Sequence, residues 1–161
     1  MKKWIVLILA IGAAYYFYQK RQDPSNPDQI DKPVYAELRV TLNAPGRELE
    51  MALFAAMASE EECKTRTQLV WDNVISACVQ CSSQVKDCRT ELPARYAKLF
   101  SNVPIASTYL SLTRGAKTER DGRMVIYGLT TQEGNTLCEH MKQQFATRYT
   151  GKLECVPSNK N

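Results

Sequence analysis

Hydrophobic and polar positions alternate with period two from Val34 to Leu42. Val34, Ala36, Leu38, Val40 and Leu42 fall on one side, and Tyr35, Glu37, Arg39 and Thr41 on the other. This predicts a strand with one buried face. The period then lengthens. Asn43 precedes Pro45, Glu48 and Glu50 follow, and Leu49, Leu53, Ala56 and Met57 recur at helical spacing, which predicts a capped amphipathic helix. Glu60, Glu61 and Glu62 read as a solvated charge run. A second helical stretch over residues 65–84 carries Val70, Trp71, Val74, Ala77, Cys78 and Cys81 at intervals of three and four. Pro93 interrupts it, and residues 94–100 add a short helical piece.

Residues 105–114 and 123–129 are strand-like, joined by GAKTERDG, a loop with glycine at both ends. Thr130 and Glu133 have capping-box spacing. Leu137, Cys138, Met141 and Phe145 then form the stripe of a helix that stops before Gly151, and residues 152–156 make a last strand. This order predicts an α+β body of ferredoxin-like βαββαβ type. It is a two-layer sandwich with both helices on one face of a four-stranded antiparallel sheet, with a disulfide-linked helical insertion at 63–100. The helix-free face then carries Tyr35, Arg39, Tyr109 and Tyr127, an amphipathic patch suited to a protein partner. The competing reading folds the insertion over that face and makes it core.

The first segment stands apart. Trp4 to Tyr18 contains no charged residue and is flanked by Lys2, Lys3, Lys20 and Arg21. As a helix it spans about 22 Å, short of a bilayer core but within reach of snorkelling lysines and local thinning. Trp4 at one end and Tyr15, Tyr16 and Tyr18 at the other resemble interfacial aromatic belts. Residues 1–21 are therefore expected to be a single-pass membrane anchor, with a secretory signal cleaved near Ala14 as the alternative. Residues 22–33 hold three prolines and form a linker that reaches about 35 Å when extended. Residues 34–161 are the body.

Charge narrows the partners. The chain has 21 Lys and Arg against 17 Asp and Glu. The first 21 residues supply four of the basic side chains and no acid, so the rest balances at 17 against 17. A neutral body argues against nucleic acid, which requires a basic excess.

All six cysteines, Cys63, Cys78, Cys81, Cys88, Cys138 and Cys155, lie beyond the apolar segment. Behind an export signal an even set predicts a disulfide framework. Cys138 on the last helix and Cys155 on the last strand fall at matching heights and form the first expected pair. For the others, Cys63 with Cys78 or Cys81, and Cys88 closing the second bridge, is the expectation, because a Cys78–Cys81 bridge does not fit a regular helix. Two chemical readings compete: a redox-active Cys78-x-x-Cys81, and a zinc site from Cys63, Cys78, Cys81 and Cys88. His140, the sole histidine, falls on the flank of the last helix, and no phosphate-binding glycine loop or H-E-x-x-H motif is present. No catalytic residue, metal or cofactor is expected. The sequence as a whole predicts a non-catalytic binding or assembly module of the cell envelope, tethered to the inner membrane with its body in the periplasm. The alternative is an anchored thiol–disulfide oxidoreductase using Cys78 and Cys81.

Overall fold

The computed structural model describes residues 30–76 and 78–159. The expected anchor, with Trp4, Tyr15, Tyr16 and Tyr18, and residues 22–29 of the linker lie outside them. No helix among the described residues is long and apolar enough to cross a membrane. The described residues form an α+β body of six strands and three helices, stapled by disulfides.

Strand β1 (Val34–Ala44) turns through Pro45–Gly46 into β2 (Arg47–Met57). Helix α1 (Glu60–Val70) continues as one π-turn (Trp71–Ile75). Then come β3 (Cys81–Arg89), α2 (Ala94–Phe100), β4 (Tyr109–Thr113), β5 (Gly122–Tyr127), α3 (Thr131–Ala146) and β6 (Lys152–Val156). The strands make one sheet in the order β3-β1-β2-β5-β4-β6, every neighbouring pair antiparallel.

The expected helix over residues 43–57 is instead β2, paired along its whole length with β1 from Val34 opposite Met57 to Ala44 opposite Arg47. Pro45 occupies the first corner of a turn, not the first turn of a helix, and Gly46 takes φ 81°, which suits the third position of a type II turn. β2 lies inside the sheet with both faces covered, so its residues need not alternate. Leu49, Met51 and Leu53 face one side, Ala52 and Phe54 the other, and the chance spacing of leucines imitates a helix. The helix expected over 65–84 likewise ends early. From Cys81 the chain is an edge strand held by its backbone pairing to β1, and its residues CSSQVKDCR carry too few apolar side chains to announce it.

The ferredoxin-like layout is corrected accordingly. The sheet has six strands, not four, and β6 pairs with β4 while β1 takes the other side of β2. The helices also divide between the faces. Val70 and Ile75 from α1 and its π-turn, with Cys138 and Met141 from α3, pack on Leu38, Val40, Leu42, Leu49, Met51, Met124 and Ile126. Tyr96 and Leu99 from α2 pack on the opposite face against Ala52, Phe54, Tyr109 and Val125. What was read as a helical insertion is a helix, an edge strand and a second helix that carries the chain round the sheet edge to its other side.

Both long helices start as their residues direct. Ser59 Oγ accepts the Glu62 amide at 3.1 Å, and the three glutamates sit in the first turn of α1, where the helix dipole favours anions. Thr130 and Glu133 form a reciprocal capping box on α3. A single buried carboxylate joins two loops: Glu119 accepts from the amides of Gly115, Ala116 and Thr150 at 2.7, 3.0 and 2.6 Å.

Candidate functional site

The expected tyrosine patch is not an open surface, because α2 roofs it. Tyr109 is fully buried and its hydroxyl donates to the Val103 carbonyl at 3.0 Å. The Tyr35 ring packs edge-on against Phe100 at 5.1 Å, and the Phe54 ring lies 4.6 Å from Tyr96. Arg95 stacks over Tyr96 at 4.5 Å and Tyr127 at 5.5 Å. Arg39 is part-buried, its Nε 2.7 Å from Glu37 and one guanidinium nitrogen 3.3 Å from Glu50. Burial alone would lower its pKa, but the two carboxylates hold it above its ordinary value. Burial raises the phenols of Tyr96, Tyr109 and Tyr127.

The roof is pinned from below by Arg123. Its guanidinium donates to the carbonyls of Leu99 at 2.7 Å, Leu112 at 2.9 Å and Gly122 at 2.7 Å, and it lies 4.9 Å from the Phe100 ring. The Leu99 carbonyl is one of those a helix C-terminus leaves without an intrahelical partner. Burial lowers the Arg123 pKa. The sequence suggested no such role for a strand arginine; only the side on which α2 packs creates it.

An accessible concavity lies elsewhere among the described residues. A groove of about 920 Å³ runs between the β1–β2 turn and α3. Leu42, Leu49, Ile126, Leu129 and Leu137 form its apolar lining, with Ala44 and Pro45 at the turn. Gln132, Thr136, His140 and Gln143, at helical spacing along α3, supply polar groups. Arg47, Glu133 and Glu139 add charged groups at its rim, and its volume is that of a binding cleft. One wall is braced by Arg47, which grips Glu133 with two bonds of 2.9 and 2.7 Å. Those bonds, with the Thr130 amide and hydroxyl, hold the Glu133 carboxyl down at about 2. His140 is thus a groove residue. Sequence reasoning placed it correctly on the flank of the α3 stripe but had no groove to assign it to, since the opposing wall belongs to the strand it took for a helix.

All six cysteines are bonded: Cys63–Cys88, Cys78–Cys81 and Cys138–Cys155. The expected partner of Cys63 is corrected to Cys88, and Cys78 bonds Cys81. The objection to that last bridge falls because the helix stops at Ile75 and the pair spans a turn, in which the Cys81 amide donates to the Cys78 carbonyl at 3.2 Å. The zinc reading loses all four of its ligands to disulfides. Cys63 and Cys88 tie α1 to β3, and Cys138 and Cys155 tie α3 to β6. The Cys78–Cys81 turn lies beside the groove. Cys81 is opposite Leu42 in the β1–β3 register, and the Asn43 amide donates to the Gln80 carbonyl at 3.1 Å. In comparisons with known proteins, the chain matches no family model, no curated protein and no solved structure.

Proposed function

We propose that the chain is an extracytoplasmic module, tethered to the inner membrane by residues 1–21, that binds an apolar segment of a protein partner of the envelope in the groove between the β1–β2 turn and α3. The groove itself supports this reading: its apolar floor is mostly leucine and isoleucine, and of its charged rim residues Arg47 and Glu133 neutralise one another while Glu139 lies 3.5 Å from Lys142. A neutral apolar lining favours a protein segment over nucleic acid, whose phosphates require cationic contacts. Its location adds support. The linker enters at Val34, and the groove lies at the other end of the same strand, about 34 Å away at 3.4 Å per residue. Three disulfides suit an oxidising compartment and the span Trp4–Tyr18 suits an anchor.

The test is site-specific photocrosslinking of the full chain in its native membrane. A crosslinker at Gln143 is expected to capture one defined envelope protein, and the yield is expected to fall at least tenfold when Leu137 becomes Arg. No defined product from Gln143, or an equal yield from a crosslinker at Lys32 near the linker, overturns the reading.

A further inference from the structure

We propose that Cys78–Cys81 is a thiol–disulfide exchange site acting on a cysteine-bearing partner, with Cys81 the attacking and Cys78 the resolving sulfur. The proposal rests on the binding role of the adjoining groove, which would seat that partner.

Four observations carry it. First, the three bridges differ in what they constrain: two join residues 25 and 17 positions apart, whereas Cys78 and Cys81 are three apart. A bridge across one turn removes the least freedom from the unfolded chain, so it does the least structural work. Second, access is provided. Val79 is 98% exposed, an apolar side chain presented at the tip of the turn, and Cys81 is more open than the 9%-exposed Cys78. Third, Cys78 lies three residues beyond the π-turn Trp71–Ile75, its amide donating to the Ile75 carbonyl at 3.0 Å, and such helix irregularities are frequent at functional sites. Fourth, Cys81 pairs with Leu42 and Gln80 with Asn43, which sets the turn against the groove that Leu42 and Ala44 line.

The chemistry balances on these two sulfurs. With the pair reduced, the Cys81 thiolate attacks one sulfur of a partner disulfide. That S–S bond breaks, and the departing partner sulfur takes a proton from water. Cys78, as thiolate, then attacks Cys81 Sγ. The mixed disulfide breaks, the second partner sulfur leaves and is protonated, and the chain holds the Cys78–Cys81 disulfide. Two electrons and two protons pass from the pair to the partner, and a partner dithiol returns them by the reverse steps. The pair lies at a helix C-terminus, where the dipole disfavours a thiolate. The structure holds the pair as the disulfide, so a partner dithiol first reduces it by the reverse steps, and the reduced pair then passes those electrons to a partner disulfide.

Two measurements on the full chain in detergent test this. Under native conditions with limiting dithiothreitol, alkylation and peptide mapping are expected to label Cys78 and Cys81 at least tenfold faster than Cys63, Cys88, Cys138 and Cys155. Equal opening of either other bridge overturns the exchange site. In the second, a short synthetic peptide of alternating leucine and serine carries one cysteine activated with thionitrobenzoate. Cys78→Ser, with Cys81 free, is expected to displace the coloured leaving group and trap the peptide, and Cys81→Ser to react at least tenfold more slowly. Equal reaction of the two variants overturns the assignment of Cys81. An excess of the same peptide with serine in place of the cysteine is expected to slow trapping but leave dithiothreitol opening unchanged. Undiminished trapping overturns the seating of the partner in the groove while the exchange chemistry stands.

Discussion

Arg47 and Glu133 meet in a two-pronged ion pair, Nη1 to Oε2 at 2.9 Å and Nη2 to Oε1 at 2.7 Å, that fastens the tip of the β1–β2 hairpin to the first turn of α3. The same carboxylate caps that helix by accepting from the Thr130 amide at 2.9 Å. One side chain thus completes the capping box of the helix and ties that helix to the hairpin beside the groove.

A pH dependence follows from this pair. The Glu133 carboxyl titrates at about 2 in the folded chain and near its ordinary value when unfolded, held down first by Arg47 and then by Thr130. A depressed carboxylate pKa means that its stabilising effect is complete above the ordinary value and is lost as the pH falls through about 2. Carbon-detected NMR titration is expected to find the midpoint near 2 and to find it raised in Arg47→Ala. An unchanged midpoint in that variant would remove the ion pair from the account.

Arg123 is the peg under α2. Arg123→Met is expected to cost about 3 kcal/mol, because it removes three buried charge-assisted hydrogen bonds, to the carbonyls of Leu99, Leu112 and Gly122. Arg123→Lys should recover only part of that, since an ammonium cannot reproduce the planar fork. Denaturant unfolding measures the loss. Hydrogen exchange should speed up in residues 94–105 before any other segment.

Two glycines separate strain from crowding. At Gly46, φ is 81° and a Cβ would meet nothing within 4 Å, so Gly46→Ala is expected to cost about 1 kcal/mol through backbone strain alone. At Gly151 a Cβ would overlap the Thr113 carbonyl oxygen and lie 2.5 Å from the Gly115 amide nitrogen. Gly151→Ala must push two backbones apart and is expected to cost over about 3 kcal/mol. Comparable thermal shifts for the two variants would contradict the close approach of these loops.

The bridges should rank by the loop each closes. Replacing both cysteines of a pair with alanine is expected to cost about 3 kcal/mol for Cys63–Cys88 or Cys138–Cys155, and about 2 kcal/mol for Cys78–Cys81. Urea unfolding of the three double variants checks the order.

What could be read from residues alone depended on whether a segment's neighbours mattered. β1 announces itself by strict alternation, since Ala36, Leu38, Val40 and Leu42 on one face are apolar and buried, while Glu37, Arg39 and Thr41 on the other are polar although α2 covers part of that face. α3 is legible from Thr130 and Glu133 at its start and from its Leu137–Cys138–Met141 stripe. The Cys138–Cys155 bond follows once α3 and β6 are placed side by side. β2 misleads because it is covered on both faces, and β3 is silent because an edge strand of polar residues draws its stability from backbone pairing. Pro45–Gly46 was the available correction: a proline–glycine pair is a stronger turn signal than a proline at a helix start.

By itself, then, the sequence determined which stretches prefer to be buried, where α3 begins, that the body carries balanced charge, and that six cysteines lie beyond an apolar first segment. Only the tertiary structure decided that β2 is a strand, that α2 covers the tyrosine face, that Cys78 bonds Cys81, and that a groove opens between the β1–β2 turn and α3. The reason is that local spacing reports one face of an element at a time. Whether a second face is also covered, and by what, depends on chain segments distant in sequence, whose packing free energy outweighs the weak local preference for helix or strand.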